Sequence, residues 1–297
     1  MTTPRIAVIT PAHNEAERIA GLVASVRSQT DTPVRWVVVD DGSTDDTAAV
    51  VRAAATDLPW VEVIRRSADP ARSFSSKAHA VAAGREALEG LDFDYLACLD
   101  ADVRIEASYF AEVSDRFRAD PQLGVTGGVY AHPVGDQIVV DRPPEHHVPG
   151  PSQVFRAEVF DDIGGYWPLP HGGVDTAANV AARMRGWTTR SWPDLLVTHD
   201  RRMGTGGGRH PVVAEYHKGM QDHDLGADPL FELGKLAGRL MRSPVLLGSL
   251  ARLAGYVRNA LRRGGPTVGP EFVRFARGEQ RDRMRAAVTS RLARTEP

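Results

Sequence analysis

Residues 34–47 have the sequence VRWVVVDDGSTDDT, and residues 95–102 have the sequence YLACLDAD. In both stretches a short apolar run ends abruptly in aspartates. This pattern is typical of a strand that is buried on both faces and whose carboxyl end reaches solvent. Because helical patterns lie between such runs, the sequence predicts an α/β fold with a mostly parallel central sheet flanked by helices.

The same patterns extend over most of the chain. Apolar runs predict strands at residues 5–10, 34–39, 61–65, 95–99, 124–129 and 188–192. Apolar spacings of three and four residues predict helices at 15–28, 43–55, 77–88, 107–118, 175–185 and 230–263, the last broken at Pro244. Residues 131–151 are rich in Pro, His, Asp and Gly, and they are predicted to form a long loop or lid.

Charge separates an acidic body from a basic end. The chain of 297 residues has 36 Lys and Arg against 38 Asp and Glu, and a net charge of −2 argues against a nucleic-acid-binding protein. From Lys235 to Pro297, however, there are 14 basic and 4 acidic residues, a net charge of +10. The sequence therefore predicts a body at 1–229 and a basic helical extension at 230–297.

The cellular compartment is inferred from cysteine content and apolar segments. The single cysteine, Cys98, excludes an intramolecular disulfide and a cysteine-rich zinc site. The first residues lack the apolar segment of a signal peptide, and no stretch approaches the roughly 18 apolar residues of a membrane-spanning helix. We therefore expect a cytoplasmic protein.

Acidic residues follow three of the predicted strands, at Glu15, Asp40, Asp41, Asp100 and Asp102. Ligands of open α/β sheets bind beyond the carboxyl ends of the strands, so we expect these side chains at one site. Carboxylates gathered there repel one another unless a cation or hydrogen-bond donors lie among them. With Ala101 as a small spacer, one aspartate of the pair could bind Mg²⁺ or Mn²⁺ that bridges to a diphosphate, and the other could contact the ligand.

Several segments together resemble glycosyltransferase family 2: PAHNEAERI (11–19), VVVDDGSTDDT (37–47), residues 77–84, CLDADV (98–103), GGYW with GGVDTAANVAARMRGW (164–187), and VTH (197–199). The resemblance covers roughly residues 5–199, in the family's order. It implies the GT-A fold, a Rossmann-like α/β fold that binds nucleotide-diphospho-sugars. The body would then be a catalytic domain with a nucleotide-binding half at 1–128 and an acceptor half at 129–229.

The resemblance also implies roles for the residues that match the family's motifs. The nucleotide-binding residues would be Pro11, Ala12, Glu15, Asp41, Lys77, Asp100 and Ala101. Asp41 would accept a hydrogen bond from the base or ribose, Lys77 would lie near the nucleotide or its phosphates, and Asp100 would approach the ribose or the metal. Asp102 and His199 would bind the Mn²⁺ or Mg²⁺ ion.

The family's catalytic base is expected at Asp175. Family members usually open the helix after the GG(Y/F) segment with the pair Glu-Asp, whereas this chain has Val174 and Asp175. A carboxylate at a helix start that faces the acceptor can take the hydroxyl proton as the oxygen attacks the anomeric carbon. The alternative is that Asp175 only caps the helix. His147, in the predicted loop, is expected to be solvated, with acceptor contact as the alternative.

These assignments imply a metal-dependent, inverting glycosyltransferase. It would move a sugar from a nucleotide-diphosphate sugar, with a UDP-sugar favoured, to a hydroxyl acceptor that is lipid-linked in cell-surface polysaccharide synthesis. Retention of configuration stays open, because some similar folds retain it. A sugar nucleotidyltransferase is an alternative, but residues 11–18 lack the Gly-rich basic loop it needs. A second alternative is a catalytically degenerate nucleotide-binding partner protein, which only Val174 favours.

The basic extension has an amphipathic pattern. Apolar residues lie near one side of a helix at Leu236, Leu240, Leu246, Leu247, Leu250, Leu253 and Val257, and the other side has Arg239, Arg242, Arg252, Arg258, Arg262 and Arg263. This composition is typical of a helix on an anionic membrane surface, and we expect peripheral contact with the inner face of the cell membrane. Packing against the catalytic domain or a partner subunit is the alternative.

Overall fold

The computed structural model describes residues 4–67, 73–134, 137–199, 210–239 and 246–293. Within these ranges the strands are β1 (Ile6–Ala12), β2 (Arg35–Asp41), β3 (Val61–Arg66), β4 (Tyr95–Leu99), β5 (Val103–Ile105), β6 (Leu123–Val134), β7 (Gln137–Asp141), β8 (Ser152–Arg156) and β9 (Thr188–His199). The helices are α1 (Ile19–Arg27), α2 (Thr47–Ala54), α3 (Ser76–Glu86), α4 (Tyr109–Ala119), α5 (Ala157–Asp162), α6 (Val174–Met184), α7 (Pro211–Asp224), α8 (Pro229–Arg239), α9 (Leu247–Arg263) and α10 (Pro270–Ala293).

Contacts within the chain divide it into two compact units. Unit 1 comprises Met1–Pro168 and Val174–Met203, and unit 2 comprises Leu169–Gly173 and Gly204–Pro297. Unit 2 thus begins earlier than the extension expected at 230–297. Because a compact unit and a functional domain are different divisions, the domain boundaries expected from the sequence stay predictions.

Unit 1 contains a sheet in the order β3-β2-β1-β4-β8-β6-β9-β5, with β7 paired to β6. The first four of these strands run parallel, as the alternation of strands and helices predicts. Beyond β4 the pairs are antiparallel, except that β6 and β9 are parallel. The predicted α/β architecture with flanking helices is confirmed, and the parallel pairing dominates its first half.

Helices cover both faces of the parallel strands because successive side chains of a strand point to opposite faces. Val8 and Val38 belong to the same buried cluster as Leu22 of α1. On the other face, Gly84 of α3 approaches Ile9 so closely that a Cβ there would lie 2.6 Å from the Ile9 side chain. With both faces covered, β1, β2 and β4 are buried over most of their length, and the acidic residues lie at their carboxyl ends. The edge strand β3 is only half-buried.

The loop expected at residues 131–151 contains more regular structure than predicted. Strand β6 continues to Val134, and β7 pairs with it antiparallel over residues 137–141. Among the described residues of this segment, the irregular part begins at residue 142. The Pro, His, Asp and Gly content of the segment indicated a loop and concealed this strand pairing. The apolar residues of the second strand, QIVVD, are exposed and not buried.

Unit 2 is helical in its described part, and α7 packs along α9 through two glycines. A Cβ on Gly219 would lie 1.9 Å from the Arg252 carbonyl oxygen, and one on Gly255 would lie 2.0 Å from the Tyr216 carbonyl oxygen. Only glycine permits backbones to approach this closely. The helix break expected at Pro244 lies outside the described residues. Within the described residues, every helix is too short or too polar to cross a membrane.

Candidate active site

Loops at the carboxyl ends of β1, β2 and β4 enclose a cleft of about 230 Å³ in unit 1. Its lining comprises Pro11, Ala12, His13, Glu15, Asp41, Lys77, Asp100, Ala101 and Asp102. The structure therefore brings together all seven residues expected to bind nucleotide, and one of the two expected metal ligands. This is the position at which open α/β sheets bind ligands. The individual roles stay predictions.

Hydrogen bonds tie the loop after β1 to the loop after β2. The Glu15 backbone NH donates to Thr47 Oγ1 at 2.9 Å, and the Asn14 backbone NH donates to Ser43 Oγ at 3.0 Å. In return, the Thr44 backbone NH donates to Asn14 Oδ1 at 2.9 Å. Asn14 has a φ of 53°, a conformation that asparagine tolerates better than most residues. The polar residues of these two loops therefore hold Glu15 and Asp41 on one side of the cleft.

Arginines at the end of β3 pair with both aspartates at the end of β2. Arg66 Nη1 donates to Asp41 Oδ1, and Arg65 Nε lies 3.5 Å from Asp40 Oδ2. Asp40 is almost fully buried, and its Oδ1 accepts from the Ser43 backbone NH at 2.9 Å. Asp40 is thus a structural residue of the turn, while Asp41 lines the cleft. Neither arginine was expected at the site, because β3 ends without a recognisable motif.

Lys77 and Asp100 form an ion pair across the cleft. Lys77 Nζ donates to Asp100 Oδ1 at 2.5 Å and to the Gly150 carbonyl oxygen at 3.2 Å. Burial favours the neutral amine, but the attraction of Asp100 and then of Asp175 outweighs it and raises the pKa of Lys77 above its ordinary value. The lysine therefore stays cationic near neutral pH, which suits a group that faces phosphates.

Asp102 and His199 meet because their strands pair. Val103, the first residue of β5, lies opposite His199, the last residue of β9. His199 Nε2 is 3.3 Å from Asp102 Oδ1, and both side chains are almost fully buried. The distance is close to that between two adjacent ligands of an octahedral ion with bonds of about 2.1 Å. A carboxylate oxygen with an imidazole nitrogen suits Mn²⁺, and the oxygen alone suits Mg²⁺.

The pair does not form a complete metal site by itself. Among the described residues, no group of three or more His, Cys, Asp or Glu side chains is arranged to hold a metal ion. An ion bound by Asp102 and His199 would therefore take its remaining ligands from water and from the ligand's own oxygens. This agrees with an ion that binds together with a diphosphate, and the two residues fit that arrangement.

Asp175 lies in the first turn of α6, and its backbone is held from two directions. Its carbonyl oxygen accepts from Asn179 Nδ2 at 2.9 Å and from Gln153 Nε2 at 3.2 Å. Gln153 is in turn fixed by Tyr166, whose hydroxyl donates to Gln153 Oε1 at 2.6 Å. Burial raises the pKa of Tyr166 well above its ordinary value, so this hydroxyl keeps its proton. The carboxylate itself is 28% exposed, and Asp175 lies outside the set of residues that line the cleft.

Two residues of the segment before β8 contact the Asp175 side chain. His147 Nε2 lies 3.9 Å from Asp175 Oδ2, and its side chain is half-buried, so it lies beside Asp175 and is not fully solvated. Its contact with an acceptor stays a prediction. Gly150 is so close that a Cβ there would lie 3.0 Å from Asp175 Cβ. Since the Gly150 carbonyl also accepts from Lys77, the backbone at Gly150 lies between the cleft and the base.

The residue that replaces the family's usual acid is apolar and buried. Val174 is 5% exposed and belongs to the first turn of α6. Val174 therefore packs in the interior, and Asp175 keeps its position in the first turn of α6. The residues around the site to which the sequence analysis assigned no role are His13, Arg65, Arg66, Gly150, Gln153, Tyr166 and Asn179. Tyr166 and Asn179 lie within segments that carry the family resemblance, whereas Gln153 had no signal.

Comparison with known proteins agrees with the fold and the resemblance. A family model described as "Glycosyl transferase family 2" matches residues 7–168, more than half of the chain. The succinoglycan biosynthesis protein ExoU of Rhizobium meliloti (strain 1021) is 36% identical over 99 residues, which are 33% of this chain. The matched segment covers only 26% of that protein's length.

Solved structures share the fold at low identity. The mannosyltransferase PcManGT from Pyrobaculum calidifontis, in complex with GDP-Man and Mn²⁺, has a TM-score of 0.57 and 17% identity, over 100% of this chain and 82% of that one. TarS 1-349 of S. aureus, in complex with UDP-GlcNAc, has a TM-score of 0.55 and 15% identity, over 86% and 72%. The GT-A architecture expected from the resemblance is thus confirmed. With its family model matched over more than half of its length, the chain belongs to glycosyl transferase family 2.

Proposed function

We propose that this chain is a metal-dependent, inverting glycosyltransferase that moves one sugar from a nucleotide-diphosphate sugar to a hydroxyl acceptor. The observation that carries the proposal is the convergence of Glu15, Asp41, Asp100 and Asp102 on one cleft, although they come from three separate loops. Arg66 and Lys77 already pair with Asp41 and Asp100, and a nucleotide diphosphate with its ion would supply further cationic and hydrogen-bonding partners to these carboxylates.

The donor's nucleotide would occupy the cleft in unit 1. Asp41 would accept from the base or ribose, Asp100 would approach the ribose or the ion, and Lys77 would face the phosphates. We propose a UDP-sugar as the donor. TarS was solved with UDP-GlcNAc and PcManGT with GDP-Man, so both bases occur among proteins with a similar fold.

Asp102 and His199 would hold the Mn²⁺ or Mg²⁺ ion. When bound, such an ion neutralises the diphosphate and so favours its departure from the sugar. The chain's own contribution is to keep the carboxylate and the imidazole buried and adjacent through the pairing of β5 with β9. Lys77 lines the same cleft and adds a second positive charge there, and its hydrogen bond to the Asp100 carboxylate fixes its direction.

Asp175 would act as the general base. The acceptor hydroxyl gives its proton to the Asp175 carboxylate while its oxygen bonds to the anomeric carbon. The bond from that carbon to the diphosphate oxygen breaks on the opposite side, and the configuration is therefore inverted. Gln153 and Asn179 hold the backbone of the base in place for this step.

The acceptor class is proposed from the named role of a relative. ExoU is a succinoglycan biosynthesis protein, and the matched segment covers a third of this chain. We therefore propose a lipid-linked saccharide hydroxyl in cell-surface polysaccharide synthesis, with the transfer taking place on the cytoplasmic side.

Thermal unfolding with a panel of nucleotide diphosphates and sugar nucleotides, with and without Mn²⁺, tests the donor site. A donor present at about 100 times its dissociation constant stabilises the native state by about 2.7 kcal/mol, which raises Tm by roughly 5–10 °C. Asp102→Ala should remove the Mn²⁺-dependent part of the shift, and Glu86→Ala, an exposed acid on α3, should keep it. A panel in which no nucleotide raises Tm would contradict the proposal, as would an Asp102→Ala protein that responds like the wild type.

A further inference from the structure

Helix α9 belongs to unit 2, and its polar side packs against the rest of that unit. The residues of α9 that are buried are Gly248, Ser249, Arg252, Gly255 and Asn259. Its apolar residues instead form an exposed strip at Leu247, Leu250, Ala254, Val257 and Leu261, which we call the outer face of α9. The spacing of three or four residues places this strip along one side of the helix. Leu261 is 82% exposed and Leu250 is 61% exposed.

Contacts within unit 2 explain why the inner side of α9 is polar. Arg252 Nε donates to Asp222 Oδ2 at 2.7 Å, and its Nη1 donates to Glu215 Oε2 at 3.3 Å. Asn259 Nδ2 donates to Asp224 Oδ1 at 2.8 Å. Together with the close glycine contacts to α7, these bonds hold α9 without any of the outer leucines. The leucines are therefore not required for packing within the described part of unit 2.

Exposed apolar side chains are concentrated in this region of the molecule. Half of the exposed large apolar side chains in the described residues lie on α8 and α9, including Leu230 and Leu233 of α8. Single exposed leucines are common on protein surfaces, but a continuous strip indicates an interaction surface. The polar side of α9 is buried and its leucines are exposed. This arrangement indicates that the apolar partner of the leucines is outside the described structure.

Charge identifies the chemistry of that partner. Helix α9 has no acidic residue, and Arg258, Arg262 and Arg263 are exposed. On the helical wheel Arg258 and Arg262 follow the edge of the outer face, so their charged ends can reach past an apolar layer. We propose that the outer face of α9 binds the surface of an anionic lipid bilayer, with the leucines among the acyl chains and the arginines at the headgroups. A second copy of the chain fits less well, because a two-fold contact through this face would bring its arginines together.

This proposal is independent of the donor site, and it modifies the sequence-based expectation. Arg252, assigned by the pattern to the solvent side, is buried in ion pairs and does not contribute to the surface. Leu236, assigned to the apolar side, is buried as well. The surface therefore consists of the outer face and the arginines at its edge, whereas Arg252 and Leu236 serve packing inside unit 2. Leu240 and Arg242 of the predicted pattern lie outside the described residues.

Flotation of the full chain with lipid vesicles tests the proposal. One set of vesicles contains phosphatidylcholine with about a third phosphatidylglycerol, and the other contains phosphatidylcholine alone. We expect the wild type to float with the anionic vesicles and to do so less as salt is raised. The double variant Leu250→Gln with Leu261→Gln should lower the partition coefficient at least tenfold. Ile138→Gln, a change of an equally exposed apolar residue on β7, should leave it unchanged.

A second pair of variants tests the charged edge. Arg258→Gln with Arg262→Gln should lower partitioning about fivefold per arginine on anionic vesicles, with little change on neutral ones. Arg52→Gln, at an exposed position of α2, is the matched control. Circular dichroism and thermal unfolding establish that each variant is folded. A wild type that floats with neither vesicle, or leucine variants that float like the wild type, would overturn the proposal. So would leucine variants that dissociate a dimer while flotation stays unchanged.

Discussion

The two units of the chain differ in where some of their charged and apolar side chains lie. In unit 1 the interior consists of residues such as Val8, Trp36 and Val38, all fully buried, and the carboxylates lie at the strand ends around the cleft. In unit 2, Asp224 and Arg252 are buried along with apolar residues such as Phe272, and several leucines of α8 and α9, including Leu230 and Leu261, are exposed. Both arrangements satisfy the same rule, that buried charges need partners, but they satisfy it with different groups.

The difference indicates what each charge is available for. Glu15, Asp41 and Asp102 line a space that a ligand can enter, so part of their bonding capacity can serve a ligand. Arg252 forms ion pairs with Glu215, Asp222 and Glu232, so its guanidinium group is engaged by residues of unit 2. We therefore expect charge substitutions around the cleft to change binding or turnover with little change in stability. Those inside unit 2 should change stability and leave the cleft intact.

The largest effect is expected at Asp175. The Asp175→Asn protein keeps the shape of the residue but cannot take the acceptor proton, so kcat should fall by about 10²–10⁴-fold. The Tm and the Mn²⁺-dependent stabilisation by the donor should stay as in the wild type. Radiolabelled sugar transfer to acceptor measures the first quantity, and thermal unfolding measures the others.

Transfer at the wild-type rate by Asp175→Asn would show that this carboxylate is not the base. A wild type that binds donor but transfers nothing to any hydroxyl acceptor would instead favour the degenerate nucleotide-binding protein. Either outcome would also contradict the expectation that the charge at Asp175 serves turnover and not stability.

The next largest effect is expected inside unit 2. Arg252→Met removes the cation that pairs with Glu215 and Asp222, and it leaves two carboxylates buried without it. The free energy of unfolding of unit 2 should fall by about 3–5 kcal/mol, while the donor-dependent stabilisation of unit 1 persists. Arg258→Met, an exposed position on the same helix, should change it by less than about 0.5 kcal/mol. Urea unfolding followed by circular dichroism measures the free energy of unfolding of both variants. Equal losses for Arg252→Met and Arg258→Met would contradict a structural role for the buried charge.

A smaller effect is expected at Gly150. The added Cβ of Gly150→Ala would lie 3.0 Å from Asp175 Cβ, so the base must move by a few tenths of an ångström. We expect kcat to fall about tenfold with an unchanged dissociation constant for the donor. Gly278→Ala, where nothing lies within 4 Å of the added atom, should keep full activity. An active Gly150→Ala protein would mean that the base tolerates displacement.

The smallest effect concerns a buried aspartate of unit 2 and its pH dependence. Asp228 Oδ1 accepts from the Leu230 backbone NH at 2.9 Å, and its Oδ2 accepts from Arg281 Nε at 3.0 Å. Burial opposes the charged form, but these bonds prevail and hold the pKa of Asp228 below its ordinary value of 3.8. The stabilisation is therefore fully present above pH 3.8 and is lost as the pH falls through the lower folded-state pKa.

Asp228→Asn should accordingly destabilise the protein by about 1–2 kcal/mol at pH 6. The difference from the wild type should shrink towards pH 2. Urea unfolding at several pH values measures it, with Asp282→Asn as the control because that side chain is largely exposed. A difference that stays constant with pH would show that the carboxylate charge does not matter at this position.

Much of unit 1 could be predicted because its signals are local. Strand β4 lies at Tyr95–Leu99, as its apolar run indicates, and the acids that follow the strands line one cleft. The interactions that orient these acids could not be predicted. Arg66 and Gln153 reach the site from strands whose neighbours are set by the sheet order, and no pattern in their own surroundings marks them.

By itself, the sequence determined where apolar runs end in acids, that these strands are parallel, and which family the chain resembles. These properties depend on residue spacing and on the general rules of α/β sheets. Only the tertiary structure decided that β5 and β9 bring Asp102 to His199, since strand pairing joins segments far apart in the chain. It also decided which side of α9 faces inward. An amphipathic helix has two sides, and here Glu215 and Asp222 of α7 bind Arg252 while Leu250 and Leu261 stay exposed.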